Sequence, residues 1–192
     1  MAQLRRDDSD RFFDYDIHVP SRTIFMGGEC NEGMAERFLK GMRLLDPHSQ
    51  QGITVIMNNT GGDEYHGLAI YDAIATATAH VTIIAYGHAM SMGSWIPQAA
   101  DARIMAPNAT MMLHYGSWGG YELESIHVNT MARENKRLTK LMEAEYLRRI
   151  REVQPKFPTS RLRKMLTEEI YLTAHEAVEL GLADSVLGEE EE

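Results

Sequence analysis

The chain has 192 residues, 44% of them hydrophobic, and a formal net charge of −9. That length supports one well-filled core rather than two, and the excess of acid excludes a nucleic-acid backbone as the main partner. A single cysteine, Cys30, excludes an intramolecular disulfide framework and a cysteine metal cluster, and no apolar run forms a signal peptide or reaches the roughly 18 residues of a membrane span, so a soluble, cytoplasmic protein is expected.

The first 20 residues are charged and aromatic by turns, end at Pro20, and read as an N-terminal axial segment outside a domain over 21–188. RTIFM (22–26) predicts a strand closed by Gly27 and Gly28. Met34, Phe38, Met42 and Leu45 then recur at the spacing of one helical face, which predicts a helix over 31–45. ITVIM (53–57) is a continuous apolar run of the kind buried in a parallel sheet, broken by Asn58, Asn59, Thr60, Gly61 and Gly62. A second helix over 64–78 carries Leu68, Ile70, Tyr71 and Ile74 and leads into the strand VTIIAY (81–86). Two short strands, 102–106 and 109–115, are joined by Pro107 and Asn108. This alternation predicts an α/β fold with a mostly parallel sheet of βαβ units.

From 122 to 152 the chain is highly charged, with Ile126, Met131, Leu138, Leu141, Met142 and Tyr146 interspersed. The pattern predicts a long amphipathic helix, which fits either an ordinary surface helix or one that projects to pack against another subunit. Pro155 and Pro158 stop it. A short helix near 161–166, then a strand, a helix ended by Gly181 and a last strand complete the domain, before an acidic tail at 189–192.

Ser91, in GHAMSMGSW, follows a strand and opens a small-residue stretch that can enter a helix. A serine on such a turn is a nucleophile candidate, and the amide of Met92 would lie where developing negative charge is favoured. The same small residues serve equally well for close packing of helix on strand. His114 ends an apolar strand, where an imidazole can reach across to a neighbouring loop as a general base. The other seven histidines are read as loop or helix residues, most of them on the surface. The order of the set adds weight: glycine turn after a strand, serine at a strand-to-helix turn, strand-end histidine, acidic residue before a late strand.

Four segments in this order resemble the ClpP family, the proteolytic subunit of the Clp ATP-dependent protease. NNTGGDEYHGLAIYDAI is similar to the family's N-S-P-G-G turn and helix, GHAMSMGSW to its G-x-A-A-S-M-G segment, APNATMMLHYG to its L-P-N-A-x-x-M-I-H strand, and EEIYLTAHEAVELGLADSVL to its C-terminal stretch. The resemblance implies a crotonase/ClpP-like fold of repeated ββα units with a projecting handle helix at about 122–152, and assembly of the chain with itself into stacked heptameric rings that enclose the active sites. It implies Ser91 as nucleophile, His114 as base, and Gly62 and Met92 as oxyanion-hole amides. Gly61 falls at the substrate groove, and Gly119 and Gly120 begin the strand that lines it. Where the family has the triad aspartate, this chain has Glu169, preceded by Glu168 in place of arginine. The activity expected is serine endopeptidase cleavage of unfolded polypeptides, with no cofactor. ATP would be used only by a separate AAA+ unfoldase, since no G-x-x-x-x-G-K-[ST] loop occurs here. Two other readings stand beside this one: a catalytically idle ring subunit that modulates an active paralogue, and an acyl-CoA hydratase or isomerase sharing the fold.

Overall fold

A computed structural model describes residues 15–46, 51–116 and 125–189. Its first strands are β1 (Ile17–His18), paired antiparallel with β2 (Thr23–Cys30). The sheet therefore begins inside the segment read as lying outside the core, and Ile17 is buried. Asn31 then caps helix α1 (Glu32–Leu45), its Oδ1 accepting from the Met34 amide, and Met34, Phe38, Met42 and Leu45 all turn into the core as their spacing requires.

Strand β3 (Ile53–Gly62), helix α2 (Glu64–Ala75) and strand β4 (Val81–Met90) follow, with β2, β3 and β4 parallel and adjacent. All three strands run past the residues that seem to end them. Gly27 and Gly28 pair with Asn58 and Asn59, Gly62 with Cys30, and His88 to Met90 with β6, so these residues stay in the ladder through parallel neighbours, and strand formation depends on that context more than on local propensity. The run 53–57 is not buried on both faces: Ile53, Val55 and Met57 are buried, whereas Thr54 and Ile56 are only half-covered. Two histidines read as loop or helix residues lie in strands, His18 in β1 and His88 in β4.

The register of β4 against β3 shifts between Met57 and Asn59, and the Asn58 carboxamide fills the irregularity by accepting from the His88 amide (3.0 Å). Here β4 changes neighbours. Thr82–Ala85 pair with β5 (Ala102–Met105), but His88–Met90 pair with β6 (Thr110–Leu113). From β4 the chain reaches β5 through the one-turn helix α3 (Met92–Trp95) and a 3₁₀ turn (Ile96–Ala99).

The long helix α4 (Ser125–Val153) matches the expected span within three residues. From Leu138 onward it carries the buried Leu138, Tyr146, Leu147 and Ile150, while none of the residues 128–137 is buried, and Glu134 in that exposed part accepts from the Tyr65 hydroxyl of α2 (3.1 Å). Arg148 and Arg149 fasten it by donating to the carbonyls of Gln98 and Ala100 at the end of the 3₁₀ turn (2.6–2.9 Å). Helix α5 (Thr159–Glu168), strand β7 (Ile170–Thr173), helix α6 (Ala174–Leu180) and strand β8 (Ser185–Val186) finish the chain. The Thr173/Glu176 capping box starts α6 and Gly181 ends it in the left-handed region. Arg103, buried on β5, binds Asp184, Gln98 and the Gly181 carbonyl, tying this last unit to the sheet.

Candidate active site

Ser91 stands between β4 and α3 with φ 54° and ψ −120°. A positive φ at a non-glycine residue costs about 1–3 kcal/mol and persists only where the surroundings over-determine it. Hydrogen bonds on both sides of the residue do so. Its amide donates to Met112 O (2.9 Å), and its carbonyl accepts from the Ser94 amide (2.9 Å) and Ser94 Oγ (2.7 Å). Since a carbonyl can only accept, the Ser94 hydroxyl proton is spent on it, and Ser94 Oγ must accept from its other neighbour, the Tyr146 hydroxyl of α4 (2.7 Å). Burial pushes the Tyr146 phenol far up in pKa, which keeps it a donor. The Ser91 side chain caps nothing and is left for His114.

Strand register brings the other two groups together. Leu113 of β6 pairs with Ile170 of β7 in an antiparallel ladder, so one step further His114 faces Glu169. His114 Nε2 lies 2.8 Å from Ser91 Oγ, and Nδ1 lies 3.2 Å from Glu169 Oε2. An ionised carboxylate only accepts, so in the neutral imidazole Nδ1 carries the proton and Nε2 turns a lone pair to the serine hydroxyl. Glu169 is itself left-handed (φ 54°, ψ 85°) and half-exposed, and its second oxygen, Oε1, accepts from the Tyr171 hydroxyl (2.9 Å).

The residue after His114 is anchored as well. The Tyr115 amide donates to Leu166 O (3.0 Å) and its hydroxyl to Glu143 (2.6 Å), a buried carboxylate of α4 that also takes a forked pair of bonds from Arg163 of α5. Burial alone would raise the Glu143 pKa, but the hydrogen bonds from Arg163 and Tyr115 outweigh it and hold the carboxyl below its usual range. Burial, and then the bond to Glu143, push the Tyr115 phenol up to about 12.

The glycine turn closes the site from the other side. A Cβ on Gly61 would stand 2.5 Å from Ser91 Cβ, and its φ of +93° is one that side chains avoid, so only glycine lets β3 come this close to the serine. The Gly61 amide is committed to the side chain of fully buried Asn59 (2.9 Å). Gly62 turns away toward Cys30, whose carbonyl would lie 2.3 Å from an added Cβ. Met92 is the first residue of α3, where an amide has no acceptor within the helix.

The structure thus gathers Ser91, His114 and Glu169 into one hydrogen-bonded line, with Gly61 against the serine, Met92 next after it in the chain, and Gly62 one residue further along β3 with its Cα side toward Cys30. Gly119 and Gly120 lie outside the described residues. Asn59, Ser94, Tyr146 and Tyr171 complete the surroundings and were not legible as site residues, since hydrogen bonds formed only in the folded chain bring them to the site. Among the described residues, no group of His, Cys, Asp or Glu is arranged to hold a metal ion, and no helix is long and apolar enough to cross a membrane.

Comparison with known proteins bears on the family and the fold. The profile of a family described as Clp protease matches residues 8–190. Over 184 residues the chain is 31% identical to the ATP-dependent Clp protease proteolytic subunit of Deinococcus radiodurans, covering 93% of this chain and 87% of that one. Among solved structures, a ClpP1 mutant from Listeria monocytogenes superposes with a TM-score of 0.78 at 23% identity, over 90% of this chain and 94% of that one, which shows the shared fold.

Proposed function

The chain belongs to the Clp protease family, and from that premise we propose that it is a proteolytic subunit working as a serine endopeptidase on unfolded polypeptide, with Ser91, His114 and Glu169 as its triad. The observation that carries the reading is the continuous line Ser91 Oγ, His114 Nε2, His114 Nδ1, Glu169 Oε2, at 2.8 and 3.2 Å. As Ser91 Oγ attacks a peptide carbonyl, its proton passes to His114 Nε2 and the carbonyl oxygen takes up the negative charge. The Gly62 and Met92 amides receive that oxyanion, each donor being worth roughly 2.7–4 kcal/mol in such sites. Glu169 stabilises the imidazolium, which then protonates the leaving amine. A water, deprotonated by the same imidazole, releases the acyl group and restores the serine. The chemistry requires no cofactor.

By the same family membership, the protein assembles with itself into stacked rings in the cytoplasm, with the exposed part of α4 before Leu138 available for contacts between subunits and an AAA+ unfoldase feeding substrate. The competing reading, an idle ring subunit, rests on glutamate in place of aspartate; the 3.2 Å approach of Glu169 to His114 favours the active one. A short fluorogenic peptide and a fluorophosphonate label test it. Wild type is expected to cleave the peptide and to be labelled at Ser91, and Ser91→Ala to lose both while keeping its fold and assembly state. A wild type that does neither refutes the proposal.

A further inference from the structure

Resting on the peptidase reading above, we propose that Tyr171 is a positioning residue for the triad: its hydroxyl holds one oxygen of Glu169 so that the other stays aimed at His114. The two oxygens are divided between the two partners, Oε1 accepting from Tyr171 (2.9 Å) and Oε2 facing His114 Nδ1 (3.2 Å). A glutamate needs such a hold more than a shorter side chain would. It has an additional torsion, its side chain is 48% exposed, and only some of its rotamers point at the imidazole.

Tyr171 is built for the task by its place in the ladder. It pairs with Met112 in the β6–β7 ladder, while Glu169 is the left-handed residue that joins α5 to β7, and the backbone turn there lets its carboxylate reach the Tyr171 hydroxyl. Its ring turns about only two torsions, so its hydroxyl is a firmer fixed point than another long flexible chain. The hydrogen bond to Glu169 also pushes the phenol pKa up, which keeps the proton on the donor at neutral pH. Tyr171 itself is 57% exposed, so this hydroxyl does not serve core packing.

The test is a double-mutant cycle on peptide cleavage with wild type, Tyr171→Phe, Glu169→Asp and the double variant, with melting temperature and assembly state followed in each. Tyr171→Phe is expected to lower kcat about tenfold, less than the roughly hundredfold of a full ångström misplacement, with KM within about twofold. In the Glu169→Asp background the shorter carboxylate no longer spans both partners, and the same Tyr171→Phe change is expected to alter kcat by less than about twofold. Melting temperature and assembly are unchanged throughout. An active wild type whose kcat is insensitive to Tyr171→Phe, or falls equally in both backgrounds, overturns the positioning role alone. A wild type that neither cleaves peptide nor labels at Ser91 overturns the peptidase reading and this role with it.

Discussion

The Ser94–Tyr146 pair offers a test in which removing an atom and removing its partner have unequal costs. Ser94 is fully buried and Tyr146 is 1% exposed, so neither hydroxyl can turn to water for a replacement. Tyr146→Phe takes away a donor but leaves Ser94 Oγ still bonded to the Ser91 carbonyl, a loss of about 1 kcal/mol. Ser94→Ala removes its bond to Ser91 and also strands the Tyr146 hydroxyl proton with no acceptor, adding about 1–3 kcal/mol of uncompensated desolvation to about 1 kcal/mol of lost bond. For a domain of this size each kcal/mol moves the melting point by about 2–4 °C, so Tyr146→Phe should lower it by about 2–4 °C and Ser94→Ala by roughly twice to four times as much. In the double variant no proton is stranded, and it should melt above Ser94→Ala. Calorimetry at one fixed protein concentration measures this, since assembly shifts the midpoint. If Tyr146→Phe is as damaging as Ser94→Ala, or the double variant loses the sum of the two, the assigned direction of the hydrogen bonds is wrong.

Two further outcomes are expected. Gly61→Ala forces a Cβ to 2.5 Å from Ser91 Cβ at a φ of +93°, and peptide cleavage should fall roughly a hundredfold or more, while Gly27→Ala, whose added Cβ meets nothing within 4 Å, should cleave at the wild-type rate. Tyr115→Phe removes a hydrogen bond to the Glu143 carboxylate and should cost about 1.5–3 kcal/mol at pH 7. The folded pKa of Glu143 is depressed, so its contribution is complete above the ordinary glutamate value of 4.5 and is lost as the pH falls through the lower folded value; the melting-point gap between wild type and Tyr115→Phe should narrow over that acid range and stay constant above it.

Local signals carried the helices well. Asn31 before a run with Met34, Phe38, Met42 and Leu45 states both where α1 begins and which face it buries, and Thr173, Glu176 and Gly181 delimit α6 in the same way. Strand ends were less readable, because Gly27 and Asn58 have poor strand propensity and are kept in the ladder by each other across β2 and β3, 31 positions apart in sequence. Ser91 and His114 could be picked out because a strand-to-helix turn and a strand end are visible in the chain. Tyr146 could not, since a tyrosine 52 positions from Ser94 looks like any other residue of an amphipathic helix until the helix is packed. The order of segments located Glu169, but only the pairing of β6 with β7 supplies its distance from His114.

The change of neighbours along β4 divides the domain's labour. Its first half, with β5 and β8, is concerned with holding the fold together, whereas its last three residues, with β6 and β7, set where the serine, histidine and glutamate stand. One strand is thus written in two dialects, apolar and branched in VTII, small and permissive in GHAM. The change of neighbours separates the demands on the two parts: substitutions along β5 and β8 answer to core packing and the Arg103–Asp184 tie and so to endurance, while the second dialect is held to the spelling that keeps three side chains in line.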